Sequence, residues 1–142
     1  MTRVAFHFNV PGKLDYACRL LRKAYGVGER VAVIGPPDVL AALDTALWSF
    51  SALDFVPHCR AGAPAPVLAA TPIVLGEDCA RLPDAGVLVN LGEGVPPGFE
   101  RFERLIELVA TDDADRAHAR VRWRHYAERG YEIQRHDLAA KE

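Results

Sequence analysis

Four short, almost wholly apolar runs recur along the chain: Arg30 to Ile34 (RVAVI), Pro72 to Leu75 (PIVL), Gly86 to Leu91 (GVLVNL) and Arg104 to Ala110 (RLIELVA). A strand that reads as continuous hydrophobics, with no polar alternation, is covered on both faces. The architecture that covers strands this way is a parallel sheet sandwiched by helices. The segments between the runs supply those helices. Val4 to Val10 alternates as a first strand, and Pro11-Gly12 punctuates it before LDYACRLLRKAYG, where Leu14, Ala17, Cys18, Leu21 and Tyr25 recur at helical spacing as far as Gly26. After RVAVI, Gly35-Pro36-Pro37 turns the chain and Asp38 is suited to cap a helix through about Leu47. Phe55-Val56-Pro57-His58 is too short and too proline-marked for a central strand; Gly62 to Pro66 and Gly92 to Gly98 read as loops. Thr111 to Gly130 reads as one helix. Alternation of this kind predicts one α/β domain over residues 1–142, with a mostly parallel sheet and helices on its faces. A length of 142 residues, half of them hydrophobic, fits a single domain with a sizeable core.

An α/β sheet invites nucleotide chemistry, but the strand-to-helix turns lack it. The first reads Asn9-Val10-Pro11-Gly12-Lys13 and the second Gly35-Pro36-Pro37-Asp38, with neither a G-x-G-x-x-G nor a G-x-x-x-x-G-K-[ST] pattern. Two prolines in the second turn remove amide donors that a phosphate would need. Ser49 and Ser51 lack a nucleophile elbow, and Cys59, although next to His58, reads as a small buried hydrophobe. The five histidines lack metal-ligand spacing, so no metal and no cofactor is expected. Asp112, Asp113 and Asp115 cluster where a helix begins, where carboxylates cap free amides and complement the helix dipole. An enzyme using the crevice at the sheet's switch point remains the weakest of three readings. Three scattered cysteines fit free thiols, and no run approaches about 18 apolar residues, so a soluble, cytoplasmic protein without a membrane partner is expected.

The positive signal is local. Arg116, Arg120 and Arg124 stand at i, i+4 and i+8 of the predicted last helix, with Trp123 beside the last two. Three guanidinium groups held side by side repel one another unless an anion lies among them. The net charge is only −2, so this is no part of a general basic excess. An apolar slot flanked by guanidinium groups, with Val109 as one lining residue, suits an acidic peptide that carries a hydrophobic anchor or a free C-terminal carboxylate. A competing reading has the same arginines bind single-stranded nucleic acid directly, with Trp123 stacking on a base. Asp112, Asp113, Asp115, Glu128 and Glu132 flank the stripe and oppose a tracked phosphate backbone.

A second face comes from LDTALWSFSALDFVPH, residues 43 to 58, which holds Trp48, Phe50 and Phe55. Phe50 reads as core, and Val56-Pro57-His58 reads as an exposed extended edge where proline blocks further pairing. Together with RLIELVATDDADRAHARVRWRHYAERGY, this segment resembles the two signature regions of the DNA polymerase III chi subunit family, the accessory proteins of the bacterial clamp-loader complex. The resemblance runs from the first strand to about Tyr131, and the tail EIQRHDLAAKE is unmatched and unassigned. It implies a Rossmann-like three-layer sandwich that acts as a non-enzymatic adaptor in DNA replication. Family members bind the psi subunit of the clamp loader on one face and the acidic C-terminal tail of single-stranded-DNA-binding protein on another, so DNA contact is mainly indirect. By position, the resemblance assigns the tail pocket to Val109, Arg116, Arg120, Trp123 and Arg124, and the psi face to Trp48, Phe55, Val56, Pro57 and His58. Here a tryptophan stands where a tyrosine is frequent, and arginines stand where lysines occur.

Overall fold

The computed structural model describes residues 1–49 and 55–140; Phe50, read above as core, lies outside the described residues. Seven strands form one sheet: β1 (Arg3–Val10), β2 (Val31–Ile34), β3 (His58–Arg60), β4 (Ile73–Gly76), β5 (Val87–Asn90), β6 (Arg104–Ala110) and β7 (Ile133–Asp137). Their order is β3-β4-β2-β5-β6-β1-β7, and every neighbouring pair is parallel. Helices α1 (Lys13–Gly26) and α2 (Pro37–Ser49) cover one face. Helix α4 (Asp113–Glu128) covers the other, where Leu68 of the short helix α3 (Ala65–Ala70) also packs. This is the three-layer Rossmann-like arrangement that the apolar runs require.

The side-chain period of two divides the core cleanly. Val31, Val33, Ile73, Leu75, Val87, Val89, Ile106 and Leu108 point toward α1 and α2, where they meet Leu21, Leu40, Leu43 and Leu47. Their alternates Ala32, Ile34, Val74, Leu88, Leu105 and Val109 join Val4 and Phe6 of β1 beneath α4. Among the described residues, no helix is long and apolar enough to cross a membrane.

Several local expectations change. Asp38 lies in the first turn of α2, not at its cap, because the helix already begins at Pro37, whose fixed φ suits a first helical position. The loop read over Gly62 to Pro66 ends early: α3 starts at Ala65, again with proline in its opening turn. Strict alternation of helix and strand fails twice, between β4 and β5 and between β5 and β6, each pair being joined by a loop and one short 3-10 turn, Cys79–Arg81 and Phe99–Arg101. The unassigned tail contains β7, which pairs in parallel with β1 from Val4↔Ile133 to Phe8↔Asp137.

Residues at the start of α4 behave as helix-start chemistry demands. The Asp112 carboxylate accepts from the Asp115 amide at 3.0 Å. The Asp115 carboxylate in turn accepts from the Ala110 amide at 2.7 Å and from Lys13 Nζ at 3.1 Å, clipping the start of α4 to the start of α1. Burial pushes the Asp115 carboxyl up, but the Ala110 amide and the Lys13 ammonium outweigh it and leave it below the usual aspartate value.

Candidate functional site

Helix α4 is registered on the sheet by charge as well as by packing. Glu107 interrupts the apolar run of β6, faces α4 and is fully buried. Arg122 Nε donates to its Oε1 at 2.9 Å, Tyr126 Oη to its Oε2 at 2.5 Å, and Asn90 Nδ2 to both oxygens at 3.0 and 3.1 Å. Arg122 Nη1 also donates to the Glu93 carbonyl at 2.8 Å. Burial drives the Glu107 carboxyl up, while Arg122 and the donated hydrogen bonds pull it back. With Ala119, Arg122 and Tyr126 turned inward, the helical period turns Arg116, Arg120 and Arg124 outward along the rim that faces β1 and β7.

Along that rim lies a groove of about 670 Å³ between α4 and the margin of the sheet. Val109 of β6 and Phe6 and Phe8 of β1 supply apolar lining from the sheet, and Ala119 does so from α4. Trp123 is half-buried in it, its ring 5.0 Å from that of Phe6 and tilted by 55°. Arg116, Arg120 and Arg124 line the same groove. All five residues expected at the tail pocket are therefore brought together. Arg135 of β7 joins them, its guanidinium carbon 5.1 Å from the centre of the Phe8 ring and 5.7 Å from that of Trp123, both cation–π distances. Among the described residues, the side chains of Arg116, Arg120, Arg124 and Arg135 have no ion pair and no hydrogen bond to protein oxygen, whereas Arg30, Arg60, Arg101, Arg104 and Arg122 all do. The groove thus combines apolar surface with cations that are unpaired among the described residues.

The second predicted face is only partly exposed. Trp48 at the end of α2 is 64% exposed and Phe55 is 52% exposed, their rings 5.0 Å apart. The Trp48 ring also lies 5.2 Å from that of His58, in an edge-on geometry. The expected exposed run Val56-Pro57-His58 is corrected. Val56 is 1% exposed and belongs to the core beneath α2, Pro57 is half-buried, and the His58 ring is enclosed between the Val56 carbonyl (Nδ1, 2.7 Å) and the Asp44 carboxylate (Nε2, 2.8 Å). The reason is periodicity: entering the edge strand β3, alternate side chains turn inward, so the edge exposes backbone and not these side chains.

Elsewhere the chemistry is sparse. A larger crevice of about 990 Å³ opens at the ends of β2 and β5, but its charged lining is Asp38, Glu77, Glu93 and Asp115 against the single Lys13, already paired with Asp115. That balance disfavours phosphate or carboxylate ligands. Cys18, Cys59 and Cys79 are unpaired, and burial pushes the Cys18 thiol up to about 11, far from thiolate chemistry. Among the described residues, no three His, Cys, Asp or Glu side chains are gathered to hold a metal ion.

Sequence reasoning missed Phe6, Phe8 and Arg135. The two phenylalanines were legible in principle, since i and i+2 of an alternating strand share a face. Arg135 was not, because IQRHD carries one apolar residue and no strand period.

The geometry can be set beside known proteins. The family model described as DNA polymerase III chi subunit, HolC, matches residues 1–134. The chain is 37% identical over 145 residues to the DNA polymerase III subunit chi of Pseudomonas aeruginosa, covering 97% of this chain and 98% of that one. It is 27% identical over 121 residues to the subunit of the same name from Haemophilus influenzae, covering 84% and 83%. Among solved structures, the C-terminal domain of the DEAD-box protein Dbp5 superposes with a TM-score of 0.62 over 98% of this chain and 91% of that one, at 11% identity, a likeness of fold alone. With the family model running from β1 through α4 to the first residues of β7 and the Pseudomonas relative aligned along nearly its whole length, the chain belongs to the DNA polymerase III chi subunit family.

Proposed function

We propose that this chain is a non-enzymatic accessory subunit of the DNA polymerase III assembly, and that its groove under α4 captures the acidic C-terminal tail of single-stranded-DNA-binding protein. The observation that carries the reading is the set of arginines, unpaired among the described residues, around an apolar groove walled by Trp123. A peptide that ends in an aromatic residue brings both complements at once, a ring for the apolar lining and a carboxylate for a guanidinium fork. Arg116, Arg120 and Arg124 steer the tail, and the terminal ring inserts against Trp123 and Val109. Micromolar affinity, about −8 kcal/mol, is expected for one short peptide.

The Trp48 and Phe55 surface is proposed as the contact for the psi subunit, with Val56, Pro57 and His58 supporting it from below. His58 holds the start of β3 to α2 through Asp44, so it fixes where the two exposed rings stand.

Titration of a labelled acidic peptide ending in phenylalanine tests the groove. Saturable binding that is lost on C-terminal amidation and on Arg120→Ala is the expected result; equal binding of the amidated peptide would sink the pocket. Direct binding of bare single-stranded DNA in a mobility shift, with no response to the peptide, would replace this reading with nucleic-acid contact.

A further inference from the structure

The arginine stripe on α4 forms only one side of the groove. The other side is the edge strand β7, which follows α4 in the chain and pairs with β1. It is tied down at its end: Asn9 Nδ2 donates to Asp137 Oδ1 at 2.7 Å, from a bulged position of β1 where Asn9 takes the left-handed φ of 60° that asparagine tolerates. Between these anchors Arg135 faces the groove, its guanidinium over Phe8 and near Trp123, with no protein oxygen taking its donors among the described residues.

We propose that Arg135 is a specificity residue of this groove, which binds the side-chain carboxylate of an acidic residue upstream of the ligand's C-terminus while the α4 arginines take the terminal carboxylate. The inference rests on the reading of the groove given above and names which part of the ligand each side recognises. Charge counting drives it. One terminal carboxylate carries a single negative charge, and the groove presents four cations. The stripe from Arg116 to Arg124 spans roughly 12 Å of helix axis, so one terminal carboxylate engages at most part of it. The ligand must bring further carboxylates, and one that leaves the α4 side meets Arg135. Its planar cation is held over Phe8 in advance, so little side-chain freedom is lost when its N–H fork engages a carboxylate. Lysine would keep the charge and lose both the stacking and the fork.

The test is a double-mutant cycle between protein and peptide, read by fluorescence anisotropy. Its components are the unchanged protein, Arg135→Ala and Arg135→Lys, each titrated with a peptide carrying Asp residues before a terminal Phe and with the same peptide carrying Asn at those positions. Arg135→Ala is expected to weaken the acidic peptide about tenfold, the scale of a charge-assisted hydrogen bond, and to change the Asn peptide little; Arg135→Lys falls between. Amidation of the C-terminus should weaken binding by the same factor in the unchanged protein and in Arg135→Ala, since a different side of the groove holds that group. Equal losses on both peptides, or no loss, overturns the assignment of Arg135 while leaving the groove intact. No binding of any peptide by the unchanged protein overturns the groove reading and this inference with it. Circular dichroism of Arg135→Ala, matching the unchanged protein, separates loss of recognition from loss of β7.

Discussion

Arg122 donates to Glu107 at 2.9 Å inside the core, two residues from Arg120 and from Arg124, which reach the groove on the outside of the same helix. One helix thus uses chemically identical side chains to anchor itself and to line the proposed groove, and the buried partners of Arg122, the Glu107 carboxylate and the Glu93 carbonyl, distinguish the first use from the second. Removing one partner of such a pair strands a buried charge. Arg122→Ala is therefore expected to cost about 3–5 kcal/mol in chemical denaturation, whereas the joint replacement Arg122→Leu with Glu107→Leu should cost clearly less than the sum of the single changes. Additive costs would show that the pair is not coupled.

Trp123 is the aromatic wall of the proposed pocket, and its chemistry can be graded. Trp123→Ala should weaken the acidic peptide about tenfold or more, corresponding to roughly 1.4 kcal/mol, while Trp123→Tyr should retain most of the affinity. Raising the salt from about 0.1 to 1 M shortens the screening length from roughly 10 to 3 Å and should weaken binding to the unchanged protein and to Trp123→Ala in parallel. Isothermal titration at two salt concentrations checks both statements.

The exposed pair Trp48 and Phe55 should separate partner capture from stability. Because more than half of each side chain faces water, Trp48→Ser is expected to change the unfolding free energy by only about 0.5 kcal/mol. The same change should abolish co-purification with the psi subunit and leave peptide binding in the groove untouched. His58→Ala, by contrast, should destabilise the fold by about 1–3 kcal/mol, since it leaves Asp44 and the Val56 carbonyl without their ring partner.

Acid should loosen the clip between α1 and α4. The folded carboxyl of Asp115 sits below its ordinary value of 3.8, so its contribution is fully present above that value and is lost as pH falls through the lower folded one. Asp115→Asn is expected to lower stability by about 1 kcal/mol at neutral pH and by nearly nothing under strongly acidic conditions. Thermal melts of both proteins across that range give the comparison.

His7 acts at milder pH. Burial, then the neighbouring His136 and Arg104, lowers its ring from 6.5 to about 4, while Tyr16 Oη lies 2.6 Å from its Nδ1. The unfolded chain binds a proton below 6.5 that the folded chain refuses until about 4, so stability declines as pH falls through that window. The ring is only partly buried, so the loss should be roughly 1–2 kcal/mol once solvent screening is allowed for. His7→Gln should flatten this slope in urea titrations at pH 7 and 4.5.

The central strands were legible because burial on both faces leaves a run of apolar residues that nothing else explains: β2, β4, β5 and β6 each lie within a residue or so of their runs. Strand β7 was not legible, since four of its five residues face solvent and an exposed edge strand needs no hydrophobic period. Helix α3 escaped because it has six residues and none of them buried. The stripe on α4 could be read from spacing alone, but Arg122 looks like its neighbours in the sequence. The signal that marks it lies elsewhere, in the glutamate set inside RLIELVA, because a carboxylate in a doubly covered strand requires a buried partner.

The order of the strands carries a mechanical consequence. The Trp48 and Phe55 rings sit beside β3, and the arginine-lined groove lies beside β1 and β7, so the two surfaces occupy opposite margins of the sheet and opposite layers. Six strand spacings of about 4.8 Å separate those margins by roughly 29 Å. Load applied at one margin is borne sideways through the hydrogen bonds of seven parallel strands, not along a flexible linker. Two ligands docked at those margins would stand on opposite sides of the sheet and would not collide.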